Sequence, residues 1–274
     1  MNQTLTEADA ELKARHRTMW AWGDYPRIAH DVVGPLGPVL VAAAGIGAGQ
    51  RVLDVAAGSG NAAIPAARTG AEVVASDLTP ELVAAGERVA ADEGLALTWQ
   101  VADAEALPFA DADFDAVVSC IGVMFAPHHQ AAADELVRVC RPGGTIGVLS
   151  WTPGGFIGEM FATMKPYAAP PPAGVQPPPL WGAADHVAGL LGDRAEVVEA
   201  RAGLLEVGGF ATPESFREYF KAWYGPTIGV YRQLADDPQR AAALDRELDD
   251  LARRHQAPDG SMGWEYLVLT ARRS

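Results

Sequence analysis

Between residue 51 and about residue 150, short continuous apolar runs alternate with segments whose apolar positions recur at helical spacing. RVLDVA (51–56), AEVVASD (71–77), LTWQVAD (97–103), FDAVVSC (114–120) and TIGVLSW (145–151) read as strands. Runs such as AVVS and IGVL lack polar alternation, which suits strands buried on both faces. NAAIPAART (61–69) reads as a helix stopped by Gly70. TPELVAAGERVAADEG (79–94) carries helix start signals, with Thr79 as N-cap, Pro80 in the first position and Glu81 in the first turn. HQAAADELVRVC (129–140) sets Leu136, Val139 and Cys140 on one helical face, and RPGG (141–144) reads as a turn. Strands spaced by helices make βαβ units, so an α/β fold with a parallel sheet covered on both faces is expected.

The flanks have a different texture. Residues 5–45 look helical and hold Trp20, Trp22 and Tyr25. After Trp151 a stretch with eight of the chain's 20 prolines cannot continue a sheet and reads as an irregular linker or pocket cover. ADHVAGLLG (184–192) reads as a short helix and AEVVEARAGLLEV (195–207) as a strand. TPESFREYFKAWYG (212–225) is a helix with Thr212 as cap. The charged segment 232–256 lines up Leu244, Leu248 and Leu251, and WEYLVLTARR (264–273) closes the chain as a strand. The expected organisation is an N-terminal helical segment (1–45), a core (46–152), a Pro-rich insertion or cap (153–185) and a C-terminal part of the sheet with a helical insertion (186–274).

Composition narrows the partners. The 274 residues are 49% hydrophobic, enough for a sizeable core, and their formal net charge is −14. Nucleic acid and anionic membranes need a concentrated positive surface, so neither is expected as a partner. No run is long enough to span a membrane, and the polar N-terminus lacks the apolar core of a secretory signal. Two cysteines, Cys120 and Cys140, make no disulfide framework and suit a reduced, cytoplasmic setting.

The candidate chemistry sits in VLDVAAGSGNAA (52–63), where Gly58, Gly60 and Ala63 fit the nucleotide-binding pattern G-x-G-x-x-G/A between a strand and a helix. Small residues let a ligand approach backbone N–H groups at the helix start. Asp54 precedes the turn, Asp77 ends the second strand and Asp103 follows the third. In an open parallel sheet that edge is the ligand crevice, and an acid ending the second strand can bind both ribose hydroxyls. A nicotinamide-dependent oxidoreductase fits the same glycine pattern. Asp54 argues against it, because a carboxylate repels a pyrophosphate and attracts a cation. A domain that binds its cofactor without catalysis is the third reading.

Taken together, VLDVAAGSGNAA, VVASDLTPELV, VADAEALPFADADFDAVVSCIGVMF and ELVRVCRPGGTI resemble the class I S-adenosylmethionine-dependent methyltransferases, nearest the branch that includes ubiquinone and menaquinone methyltransferases. The resemblance covers about residues 50–150. It implies a Rossmann-like fold, with a mostly parallel seven-stranded sheet whose last strand is antiparallel, and S-adenosylmethionine as cofactor. Asp54, Gly58 and Gly60 then lie around the methionine part of that cofactor. Ala56 stands where the family often has its first glycine. Asp77 binds the ribose, Leu78 packs on the adenine, and Asp103 with Ala104 meets the adenine amino group. Cys120 and Ile121 face the amino-acid end. The implied reaction is in-line methyl transfer to a small acceptor.

His128 and His129 follow the fourth strand and are candidates for a general base, although capping of the next helix is the preferred reading. Tyr25 is the expected cofactor contact from the N-terminal segment. Trp22, Met124, Phe125, Phe156, Met160 and Trp181 are expected to border an apolar or aromatic acceptor, with Phe161 and Trp223 as further members. The sequence leaves room for a homodimer.

Overall fold

The computed structural model describes residues 7–274; residues 1–6 of the expected N-terminal segment lie outside the described residues. Seven strands form one sheet: β1 Arg51–Val55, β2 Glu72–Asp77, β3 Thr98–Val101, β4 Phe114–Cys120, β5 Cys140–Trp151, β6 Ala195–Val207 and β7 Met262–Arg273. Their order is β3-β2-β1-β4-β5-β7-β6. The first five pair in parallel, and β7 runs antiparallel to both of its neighbours, β5 and β6. β1 and β4 are fully buried along nearly all their length, as the unbroken apolar runs require.

The N-terminal segment folds as α1 Glu7–Trp20, α2 Tyr25–Ile28, a short π-turn over Ala29–Val33, and α3 Leu36–Ala43. α4 Ala63–Arg68 follows the glycine turn, and α5 Pro80–Asp92 follows β2. Thr79 holds the N-cap position of α5, yet its side chain makes no capping bond. Its N–H instead donates to Asp77 Oδ1 at 2.8 Å. α6 is His129–Val139.

Three expectations are corrected. RPGG lies inside β5, with Gly143 at φ 71° and its carbonyl accepting from Arg272 Nη1 at 2.9 Å. The Pro-rich stretch is not irregular throughout, since it opens with α7 Phe156–Met164. The buried Phe156 ring stacks on Trp264 of β7 at 5.3 Å, and that aromatic packing holds the helix to the sheet. After α8 Ala184–Leu191 and α9 Pro213–Trp223 comes an unforeseen helix, α10 Gly225–Gln233. Its Gly-Pro opening resembles a breaker, but Pro226 sits in the first turn, where a missing N–H costs nothing. α11 Pro238–His255 buries Leu244, Leu248 and Leu251 as its periodicity predicts. Among the described residues no helix is long and apolar enough to cross a membrane.

Candidate active site

The strand order reverses between β1 and β4, and that topological switch point is where open α/β sheets bind ligands. The residues at or just beyond the C-terminal tips of β1, β2, β3 and β4 (Ala56, Asp77, Asp103 and Ile121) line one cleft of about 660 Å³ including its open mouth. Gly58, Leu78, Thr79, Ala102 and Ala104 continue its wall. The N-terminal segment closes the other side with Lys13, His16, Trp20 and Tyr25.

The turn after β1 is tied down from three directions. Gly58 N–H donates to Asp77 Oδ2 at 2.8 Å, which joins the turn to the end of β2. Ser119 Oγ donates to the Val55 carbonyl at 2.6 Å and accepts from Val123 N–H at 2.8 Å, which joins it to the end of β4. Ala63 N–H donates to Asp54 Oδ2 at 2.7 Å, so Asp54 anchors the start of α4. Two non-glycine residues here sit in the left-handed region, Ala56 at φ 53° and the β-branched Ile121 at φ 54°. Such strain costs on the order of 1–3 kcal/mol per residue and persists where surrounding contacts over-determine the backbone. At Ala56 the glycine-favouring conformation is therefore retained although the residue is alanine.

Gly122 fits against this turn with no room to spare. A Cβ there would lie 2.2 Å from the Ala56 carbonyl oxygen and 2.9 Å from its Cβ. Gly122→Ala is expected to push the turn off its position, lower stability by about 1–3 kcal/mol and weaken ligand binding in the cleft. Unchanged melting and unchanged binding in that variant would show that the contact is slack.

Charge along the cleft is arranged by a buried triad. Lys13 Nζ lies 2.6 Å from Asp103 Oδ2 and 2.7 Å from Glu105 Oε2. Burial works to lower the Lys13 pKa, but its bonds to the two carboxylates win and hold the ammonium above its ordinary range. Glu105 Oε1 also accepts from His128 N–H at 2.7 Å. Further along α1, Arg17 Nε donates to the Leu78 carbonyl at 3.0 Å, a second tie of that helix to the cleft rim. One ammonium faces two carboxylates, and Asp77 adds another, so the wall is net negative. The neighbouring His16 ring is held neutral, because burial first and then Arg15 and Lys13 lower its pKa.

The buried Asp54 lies behind the turn and does not line the cleft. Burial first, then repulsion from Asp77, pushes its pKa up to about 8. Its Oδ1 has no hydrogen-bond partner. A carboxyl raised above its unfolded value of 3.8 binds a proton in the folded state that the unfolded chain lacks. Stability from this group is therefore full below about pH 4 and is lost as pH climbs towards 8, with a slope of up to about 1.4 kcal/mol per pH unit. Asp54→Asn is expected to flatten the fall of melting temperature between pH 5 and pH 8; an unaltered slope would remove this role.

Of the other expected cofactor residues, Ala56, Gly58, Asp77, Leu78, Asp103, Ala104, Ile121 and Tyr25 line the cleft, while Gly60 and Cys120 are buried and do not line it. Tyr25 reaches the turn itself, since a Cβ on Gly58 would sit 3.2 Å from its Cε1. Burial raises the Tyr25 pKa, so the phenol keeps its proton. Cys120 Sγ accepts from Asn61 Nδ2 at 3.3 Å, and burial raises its thiol pKa also.

The structure does not bring His128 or His129 to the cleft wall. The His128 ring contacts Asp9 Oδ1 at 3.3 Å. His129 is buried against Trp181, its Nδ1 lies 2.9 Å from His186 Nε2, and burial pushes its pKa down to about 4. Of the expected acceptor residues, Phe125 lines the cleft, and Trp22 and Phe161 line a second groove beside it. Met124, Phe156, Met160 and Trp181 line neither; all four are fully buried core. Trp223 lines neither as well, and Arg27 lies over its ring. Sequence reasoning missed Lys13 and His16. Their spacing to Trp20, three and then four residues, places all three on one face of a helix, and that was the available signal.

The donors and acceptors suit a cationic, nucleoside-bearing methyl donor. Each Asp77 oxygen accepts one backbone N–H, and an ionised carboxylate has further lone pairs for hydroxyl groups. The net-negative wall favours positive charge nearby and opposes a pyrophosphate.

Comparisons with known proteins agree with this fold. Residues 52–144 match the family model for a methyltransferase domain. The chain is 57% identical over 268 residues to an uncharacterized protein of Mycobacterium tuberculosis, covering 98% of this chain and 97% of that one. It is 41% identical over 106 residues to the demethylmenaquinone methyltransferase of Thermus thermophilus, covering 38% of this chain and 48% of that enzyme. The solved structure of geranyl diphosphate C-methyltransferase from Streptomyces coelicolor A3(2) superposes with a TM-score of 0.52 at 15% identity, covering 87% of this chain and 75% of that one. Fold and site together define a Rossmann-like methyltransferase domain. Residues 52–144 belong to the methyltransferase domain family, and the chain has the fold of the class I S-adenosylmethionine-dependent methyltransferases.

Proposed function

We propose that the protein binds S-adenosylmethionine in the cleft at the tips of β1–β4 and methylates a small acceptor with a hydrophobic or aromatic body held beside it. The observation that carries this reading is the meeting of the glycine turn, Asp77 and Asp103 on one net-negative wall. Asp77 would hold the ribose hydroxyls, Leu78 and Ala102 would flank the purine, and Asp103 with the Ala104 backbone would meet its amino group. When bound, the cofactor supplies a methyl group on a positively charged sulfur.

The chain's own task is then to position the reactants and exclude water. Trp20, Tyr25 and Phe125 serve this purpose, with Trp20 packed edge-on to Phe125 at 4.7 Å and to Tyr25 at 5.3 Å. His16 borders both the cleft and the adjoining groove, and its neutral ring is the group placed to take a proton from an acceptor that carries one. The buried free cysteines fit a reduced compartment such as the cytoplasm.

Thermal unfolding with added nucleotides tests the reading. S-adenosylhomocysteine at a hundred times its Kd is expected to stabilise the fold by about 2.7 kcal/mol, and NAD(P) not at all. Stabilisation by NAD(P) alone would replace methyl transfer with the oxidoreductase reading. Binding of S-adenosylhomocysteine without methyl transfer to any of a broad acceptor panel would favour a non-catalytic role.

A further inference from the structure

The groove beside the cofactor cleft runs between α1, residues 165–175 and α10, and encloses about 1970 Å³ including its open mouth. Leu12, Met19, Trp22, Met164, Val175 and Val230 give it an apolar lining. His16 lines both cavities, so the groove leads towards the place where a methyl group would be transferred.

Its charge runs against the rest of the molecule. The chain has 35 acidic and 21 basic residues, yet every lysine, arginine or carboxylate position on this lining is basic: Arg15, Lys165 and Arg232. Several arginines elsewhere, such as Arg68, Arg138 and Arg217, are paired with carboxylates. Among the described residues Lys165 and Arg232 have no ion pair, and Arg15 has only the distant, exposed Glu11 at 3.9 Å. The Arg232 guanidinium carbon lies 4.1 Å from the centre of the Trp22 ring, which holds the guanidinium at the groove wall. Unpaired cations around an apolar trough complement a molecule with an apolar body and an anionic end.

We propose that the acceptor is an amphipathic anion, with its hydrocarbon body in the groove and a carboxylate or phosphate held by Arg15, Lys165 and Arg232. This rests on the methyltransferase reading and adds the acceptor's class to it. The guanidinium and ammonium donors recognise the shared anionic chemistry, and the number of charges on the head separates the two sources.

Calorimetry on the full chain saturated with S-adenosylhomocysteine tests the assignment, using decanoate, decyl phosphate, decanol and decyltrimethylammonium as probes. At least one anion is expected to bind about tenfold more tightly than decanol, and decyltrimethylammonium more weakly than decanol. Decyl phosphate ahead of decanoate identifies a phosphate head, and the reverse a carboxylate. In Lys165→Gln/Arg232→Gln, whose positions are exposed, the anion advantage is expected to vanish with melting temperature and decanol affinity unchanged. Equal binding of decanol and both anions, or an anion preference that survives the double substitution, would overturn the proposal. The cofactor titration is read separately: saturation by S-adenosylhomocysteine without anion preference sinks this inference alone, whereas no S-adenosylhomocysteine binding sinks the methyltransferase reading.

Discussion

Asp77→Ala is expected to lower affinity for S-adenosylhomocysteine by about a hundredfold, or about 3 kcal/mol. The carboxylate does two things at once. It receives the Gly58 and Thr79 N–H groups, each at 2.8 Å, and so fixes the turn and the start of α5 against the end of β2. It also faces the cleft at the position proposed for the ribose hydroxyls. Alanine removes both, and leaves two N–H groups to find water. Asp77→Asn separates the effects, because it keeps the shape and one acceptor while losing the charge. Its affinity is expected to fall between wild type and alanine, with melting temperature closer to wild type. Wild-type affinity in both variants by calorimetry would take Asp77 out of the binding site.

Lys13→Met is expected to lower the melting temperature by several degrees and to weaken cofactor binding with it. The ammonium is almost entirely enclosed and serves Asp103 and Glu105 together. Removing one partner of a buried ionic cluster strands the others, at a cost of about 3–5 kcal/mol. For a chain of this size each kcal/mol moves the melting temperature by about 2–4 °C. Glu105 is 3% exposed and suffers most, so Lys13→Met/Glu105→Gln is expected to recover part of the loss. A single variant that melts within a degree of wild type would mean that the triad carries no stability. Recovery of stability without recovery of cofactor affinity would isolate Asp103 as the group whose orientation Lys13 controls.

The legibility of this protein in its sequence follows physical lines. The strands at 51–55, 72–77 and 114–120 are continuous apolar runs bounded by turns, and burial on both faces leaves them no other reading. Asp77, Asp103 and the glycine turn were legible because each follows a strand and is separated from the next by one helix and one strand of the same repeating unit. The order β5-β7-β6 was not, since pairing between distant strands leaves no local mark. α7 and α10 were hidden by proline and glycine at positions that a helix start tolerates. Asp54 was visible as a charge before the turn, but its burial behind the turn, and its bond to Ala63, depend on how α4 docks. The side of the cleft formed by α1 was the least legible. Lys13 and His16 stand about 90 residues from Asp103 in sequence, in a charged helix whose face towards the cleft only the tertiary fold selects. His128 and His129 were conspicuous in sequence, while their rings lie against Asp9 and His186 and not on the cleft wall.

A crystal structure with S-adenosylhomocysteine bound tests the central claim most directly. The account predicts the ribose on Asp77, the purine between Leu78 and Asp103, and the sulfur directed towards His16 and the adjoining groove. Nucleoside density anywhere away from the ends of β1–β4, or a sulfur pointing away from that groove, would contradict it.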